Sequence, residues 1–123
     1  MDCASVAREA LNGLGIPYCR LDLSHSTLYF CADRQGGIFN LSLQEEGTVR
    51  IWTFARTGLP PGKGGMKREY PEERGVIGFE VTEEDNLNIY SRQSLADVRP
   101  DEGRQLLLRQ ITDFLSLRAK VRG

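Results

Sequence analysis

The chain has 123 residues, which is the size of one domain and enough to bury a hydrophobic core without disulfides or metals. Hydrophobic residues make up 40% of it and charged residues 27%, a balance that excludes an intrinsically disordered chain. Because 16 Lys and Arg stand against 17 Asp and Glu, the formal net charge of −1 excludes a strong overall attraction to nucleic acid or to an anionic membrane.

The first predicted element is a short helix at residues 3–14. Its apolar residues recur at helical spacing on one face, and Asp2 can cap its N-terminus. Gly13, Gly15 and Pro17 then favour the end of the helix. Because so short a helix is marginal by itself, we expect it to pack against the rest of the domain.

A two-residue alternation of apolar and polar side chains follows the helix and predicts four strands. They lie at residues 18–23, 27–32, 38–43 and 48–55. Short turns rich in Ser, Gly and Glu join them, so the four strands are expected to form an antiparallel meander.

The second half of the chain begins with a glycine- and proline-rich segment, and we expect an irregular long loop at about residues 56–75. Alternation resumes at 77–81 and 87–91, which predicts a hairpin. A last helix begins at Pro100, carries acids in its first turn and presents an apolar stripe between residues 107 and 115.

The predicted architecture is a single α+β domain over residues 1–123. Its antiparallel, twisted sheet has five or six strands, with the N- and C-terminal helices packed on one face. The first residues show no apolar run of signal-peptide length, and no stretch reaches the roughly 18 apolar residues of a membrane span. We therefore expect a cytoplasmic protein without a membrane partner.

No group of residues has the pattern of a catalytic, metal or cofactor site. Residues 58–65 resemble a phosphate-binding loop, but the spacing of the glycines is wrong and no helix follows. His25 lies in a predicted turn without a nucleophile beside it. Cys3, Cys19 and Cys31 form no metal-ligand pair, and we expect reduced, mostly buried thiols. The prediction is a protein that is not an enzyme.

The candidate binding residues belong to the fourth strand and its surroundings. Its alternation places Val49, Ile51 and Thr53 on the helix side and leaves the other side open. Eight binding residues are predicted: Arg50, Trp52, Phe54 and Arg56 on this open side, Tyr29 extending the same side from a neighbouring strand, and Lys63, Lys67 and Arg68 in the long loop.

Three interpretations of this surface remain open. Exposed aromatic and arginine side chains are typical of protein interfaces, and they also form stacking platforms for single-stranded nucleic acid. Alternatively, the long loop folds over Trp52 and makes a second small core. Glu69, Glu72 and Glu73 in the same loop argue against nucleic acid, so we favour a protein partner.

The order of elements resembles the fold of type III secretion chaperones and, more closely, the YbjN family of bacterial proteins. The matching stretches are residues 49–51 leading to 59–60, the hairpin 79–81 to 87–91, and 106–115 in the last helix. The resemblance implies a non-enzymatic, chaperone-like protein that binds other proteins and forms homodimers, and it brings no catalytic residues with it.

The predicted function is therefore a protein-binding or chaperone-like adaptor module that uses the open sheet face. The alternative is a single-stranded nucleic-acid-binding module that uses Arg50, Trp52 and Phe54 together with the basic loop.

Overall fold

The computed structural model describes residues 3–33, 37–56, 65–82 and 86–122 of the chain. For residues 55, 56 and 122 it describes the backbone only. Two helices bracket seven strands. In chain order these elements are α1 (Cys3–Gly13), β1 (Tyr18–Asp22), β2 (Ser26–Ala32), β3 (Ile38–Gln44), β4 (Thr48–Arg56), β5 (Lys67–Glu72), β6 (Gly75–Val81), β7 (Asn86–Ser94) and α2 (Pro100–Arg122).

The strands form one antiparallel sheet in the order β1-β2-β3-β4-β7-β6-β5. Two meanders are thus joined side by side, because β5 lies at the far edge and the chain returns through β6 to pair β7 with β4. The β4–β7 pair is the centre of the sheet and runs from Thr48↔Ser94 to Arg56↔Asn86. The predicted α+β fold is confirmed, with seven strands in place of five or six.

The additional strand, β5, lies inside the segment predicted to be irregular. Pro71 was expected to prevent regular structure, but an edge strand tolerates a residue without an N–H group. Gly78 of β6 lets β5 come close, since a Cβ there would lie 2.3 Å from the carbonyl oxygen of Arg68. The prediction of a loop is therefore wrong for residues 67–72, and residues 57–64 lie outside the described part of the chain.

The hydrophobic core lies between one face of the sheet and the two helices. Val49 and Ile51 of β4 and Ile89 of β7 are fully buried there, as the alternation predicts. The buried apolar residues from the helices are Val6, Ala7, Ala10, Leu11, Leu107, Ile111 and Phe114. Both helices therefore cover the same face, and the sheet has one dry side and one side that no described element covers.

The placement of Tyr29 on the open side is wrong. Tyr29 pairs with Leu41 in the sheet, so its side chain joins the core and is 0% exposed. Its ring packs edge-on against Tyr18 at 5.3 Å between centroids, and burial raises the pKa of its hydroxyl. Phe30 takes the open side because it pairs with Asn40. Both sides of β2 carry large apolar residues, so its alternation alone does not decide which side is inside.

A polar network centred on Gln110 connects α2 to the middle of the sheet. The Gln110 amide donates to the carbonyl oxygen of Val49 at 3.2 Å and to the hydroxyl of Ser91 at 3.1 Å. Its oxygen accepts from Gln93 at 3.0 Å. Because each of these buried polar groups has a partner, the network fixes the position of α2 over β4 and β7 at little cost in desolvation.

Candidate functional site

The face of the sheet opposite the helices, here called the open face, carries large apolar side chains on its β1–β4 half. Four of these side chains are between 46% and 71% exposed, namely Leu21, Phe30, Ile38 and Phe54. We call these four residues the apolar patch. Phe30 pairs with Asn40, and Ile38 lies two residues before Asn40 on the same side of β3. The patch therefore extends across neighbouring strands and contains no charged residue.

Beside the apolar patch, the open face contains a concavity of about 420 Å³. It lies over β3, β4, β7, β6 and β5 and is lined by residues of three successive cross-strand rows. Arg50 and Arg92 face each other in the first row, Trp52 and Tyr90 in the second, and Asn88 and Glu80 in the third. A volume of this size is in the range of small-ligand sites.

The rim of the concavity at β5 is held by a bridge of charged and polar groups. The Tyr90 hydroxyl donates to Glu69 Oε1 at 2.8 Å, and Lys67 Nζ lies 2.7 Å from the same oxygen. The hydrogen bond from Lys67, followed by that from Tyr90, lowers the pKa of Glu69. Desolvation and, next, the bond to Glu69 raise the pKa of Tyr90. The negative charge of Glu69 at this rim is therefore already paired with the positive charge of Lys67.

The two arginines differ from Glu69 in this respect. Among the described residues neither Arg50 nor Arg92 takes part in a salt bridge, and both are exposed. Like charges directly opposite each other on neighbouring strands are unfavourable by themselves. The concavity thus has a positive end at the arginines and a neutral-to-acidic end at Asn88 and Glu80.

The structure brings some of the predicted binding residues together and separates others. Arg50, Trp52 and Phe54 lie on the open face as predicted, with Trp52 half-buried in the concavity, and Lys67 lies at its rim. Arg68 pairs with Phe79, which packs against the core, so Arg68 belongs to the opposite side of the sheet and not to this site. The placements of Lys63 and of the Arg56 side chain lie outside the described residues.

The contribution of β7 to the site was not predicted from the sequence. Asn88, Tyr90 and Arg92 alternate along this strand and line the concavity next to β4. The alternation itself is visible in the sequence, but the pairing of β7 with β4 is not. In the chain, 34 residues lie between Arg56 at the end of β4 and Ser91 of β7, whereas in the sheet the two strands are neighbours. Only the strand order joins the two halves of the site.

The three cysteines differ in accessibility: Cys31 is buried, Cys3 is half-buried and Cys19 is exposed. The expectation of mostly buried thiols is wrong for Cys19, which pairs with Phe30 and lies on the open face.

This difference predicts selective labelling by a thiol reagent at mildly alkaline pH. Burial raises the pKa of the Cys31 thiol to about 12, so its reactive thiolate is scarce in the folded protein. We expect Cys19 to be labelled in dilute native protein and Cys31 only after denaturation, as measured by peptide mass spectrometry. Equal labelling of both thiols in the native state would contradict this burial.

No protein-family model matches the chain, and no curated protein or solved structure is significantly similar to it. Neither described helix combines the length and the apolar character needed to cross a membrane. Within the described ranges, no three His, Cys, Asp or Glu side chains come together in the manner of a metal site. The geometry of the open face is therefore the main basis for a functional proposal.

Proposed function

We propose that this protein is a non-enzymatic, protein-binding module of the adaptor or chaperone-like type, and that its apolar patch binds a second copy of the chain. The observation that carries the proposal is the exposure of Leu21, Phe30, Ile38 and Phe54 on one side of the sheet. An antiparallel sheet with one face in the core ordinarily presents polar side chains on the other face. A contiguous apolar patch on that face is typical of an interaction surface.

The chemistry of the patch favours a homodimer. Its four side chains carry no charge, so a matching partner surface must itself be apolar and uncharged. A second copy offers such a surface, since a two-fold contact brings the same patch of both chains together. The resemblance to the YbjN family supports the same proposal and extends it to a bacterial cytoplasmic protein that binds further proteins.

Sedimentation equilibrium from micromolar to millimolar concentration tests this proposal. We expect the wild-type chain to dimerise and the variants Ile38→Glu and Phe54→Glu to dissociate, with dimer Kd raised at least about 100-fold. The reason is that a buried, unpaired carboxylate costs several kcal/mol. Circular dichroism should show unchanged folding, since both side chains are exposed in the single chain.

The matched control is Tyr70→Glu, which places the same charge at an exposed ring of β5 outside the patch. This variant should dimerise like the wild type. In the wild type, labelling of Cys19 should slow as the protein concentration rises, because Cys19 lies beside Phe30. A wild-type chain that stays monomeric at millimolar concentration, or a Tyr70→Glu variant that dissociates equally, would overturn the homodimer.

A further inference from the structure

The concavity contains a pair of positively charged side chains on neighbouring strands. Arg50 and Arg92 are directly opposite each other on the central strands β4 and β7, and neither has a salt-bridge partner among the described residues. Guanidinium groups bind phosphate oxygens through two parallel hydrogen bonds, and one phosphate can accept from two arginines. A phosphate between them would remove the repulsion that the cross-strand pair otherwise creates.

The opposite end of the concavity holds a second unsatisfied group. The Asn88 side-chain oxygen is buried and has no hydrogen-bond partner among the described residues. A buried polar atom without a partner costs free energy, which a ligand with an N–H or O–H group would recover. Glu80, the cross-strand neighbour of Asn88, provides a further acceptor at the same end.

An aromatic row lies between these two ends. Trp52 and Tyr90 separate the arginines from Asn88, and the half-buried Trp52 ring lines the concavity. From Arg92 to Asn88 the strand spans about 14 Å, so one small ligand can contact all three rows. The required ligand has an anion at one end, a flat ring in the middle and hydrogen-bond donors at the far edge.

We propose that the concavity binds a nucleoside monophosphate. Its phosphate lies between Arg50 and Arg92, its base stacks on Trp52, and a donor group of the base reaches Asn88. The binding leaves all covalent bonds unchanged. The site adjoins the apolar patch at Phe54, which pairs with Asn88, but none of the four side chains of the patch lines the concavity.

The fluorescence of Trp52, which is the only tryptophan of the chain, provides the test. The probes are the four ribonucleoside 5′-monophosphates, inorganic phosphate, phenyl phosphate and a short single-stranded oligonucleotide. We expect at least one mononucleotide to change the fluorescence saturably and to bind more tightly than phosphate or phenyl phosphate. Each titration is repeated with the Ile38→Glu variant, whose substitution lies outside the lining of the concavity, so that loss of the dimer and loss of the ligand are observed separately.

Three variants assign the roles of the residues. Arg50→Gln and Arg92→Gln should each weaken mononucleotide binding about tenfold or more, because a charged hydrogen bond is lost. Asn88→Leu should weaken binding of the mononucleotide and leave that of phenyl phosphate unchanged. Arg104→Gln, an exposed arginine of α2, is the control and should bind like the wild type.

Several results would overturn the proposal. One is the absence of any fluorescence change, and of any heat in calorimetry, with millimolar mononucleotide. Equal affinity for phenyl phosphate and the best mononucleotide would show that the Asn88 end makes no contact with a base. Binding of the oligonucleotide without binding of any mononucleotide would assign the open face to single-stranded nucleic acid instead.

Discussion

Replacement of Arg118 by leucine is expected to lower the free energy of unfolding by about 3–5 kcal/mol, the cost of breaking a buried ion pair from one side. The Arg118 guanidinium forms a salt bridge with the Asp33 carboxylate, and the two side chains are only 4% and 7% exposed. The substitution removes the positive charge of the Arg118 guanidinium from beside the buried Asp33 carboxylate. Urea denaturation followed by circular dichroism measures the loss.

The size of this effect follows from what the ion pair connects. Asp33 lies at the end of β2, and its backbone N–H donates to the carbonyl oxygen of Gly37 at 2.9 Å, just before β3. A Cβ at Gly37 would lie 2.6 Å from Arg118 Nη1, so the guanidinium packs directly on this glycine. Arg118 therefore attaches the last turns of α2 to the link between two core strands.

A double variant separates the charge from the packing. Arg118→Leu combined with Asp33→Leu should be more stable than Arg118→Leu alone, because the buried carboxylate is removed together with the guanidinium. Arg104→Leu, at an exposed position of the same helix, should change the free energy of unfolding by no more than about 0.5 kcal/mol. If the double variant is the least stable of the three, side-chain volume and not charge accounts for the effect.

The burial of Arg118 is a feature that the sequence pattern does not predict. A basic residue in the last turns of a helix is expected to face water, where it interacts favourably with the helix dipole. Here Arg118 is buried because its guanidinium is paired with Asp33, which lies 85 residues earlier in the chain. The apolar stripe of α2, by contrast, was predicted correctly, since Leu107, Ile111 and Phe114 depend only on helical spacing and all three are fully buried.

The sheet shows the same division between local and non-local information. The two sides of β4 were predicted correctly because only one of them lacks charged residues: Val49 and Ile51 are buried, whereas Arg50 is exposed. In β2 both sides are apolar, and the side of Tyr29 was predicted wrongly. The arginine pair of the concavity could not be predicted at all, because it requires β7 to pair with β4, although β5 and β6 lie between these two strands in the chain.

The second large effect is expected for Phe114→Ala, which should lower the free energy of unfolding by about 3–5 kcal/mol. Phe114 is fully buried on α2, and its ring packs against that of Phe39 on β3 at 5.7 Å between centroids. Truncation removes this contact and leaves a cavity between helix and sheet, where the close-packed surroundings relax only in part. The measurement is again the urea midpoint and slope by circular dichroism.

Phe54→Ala is the matched control, because it removes the same atoms from a ring that is 58% exposed on the open face. At dilute, monomeric concentration it should change stability by no more than about 0.5 kcal/mol, while weakening the proposed dimer. The two phenylalanines thus distinguish the two sides of the sheet by experiment. Phe114 is expected to contribute to the stability of the fold, and Phe54 to the proposed dimer. Equal losses of stability at the two positions would mean that the open face is part of the core, and the proposed interaction surface would have to be abandoned.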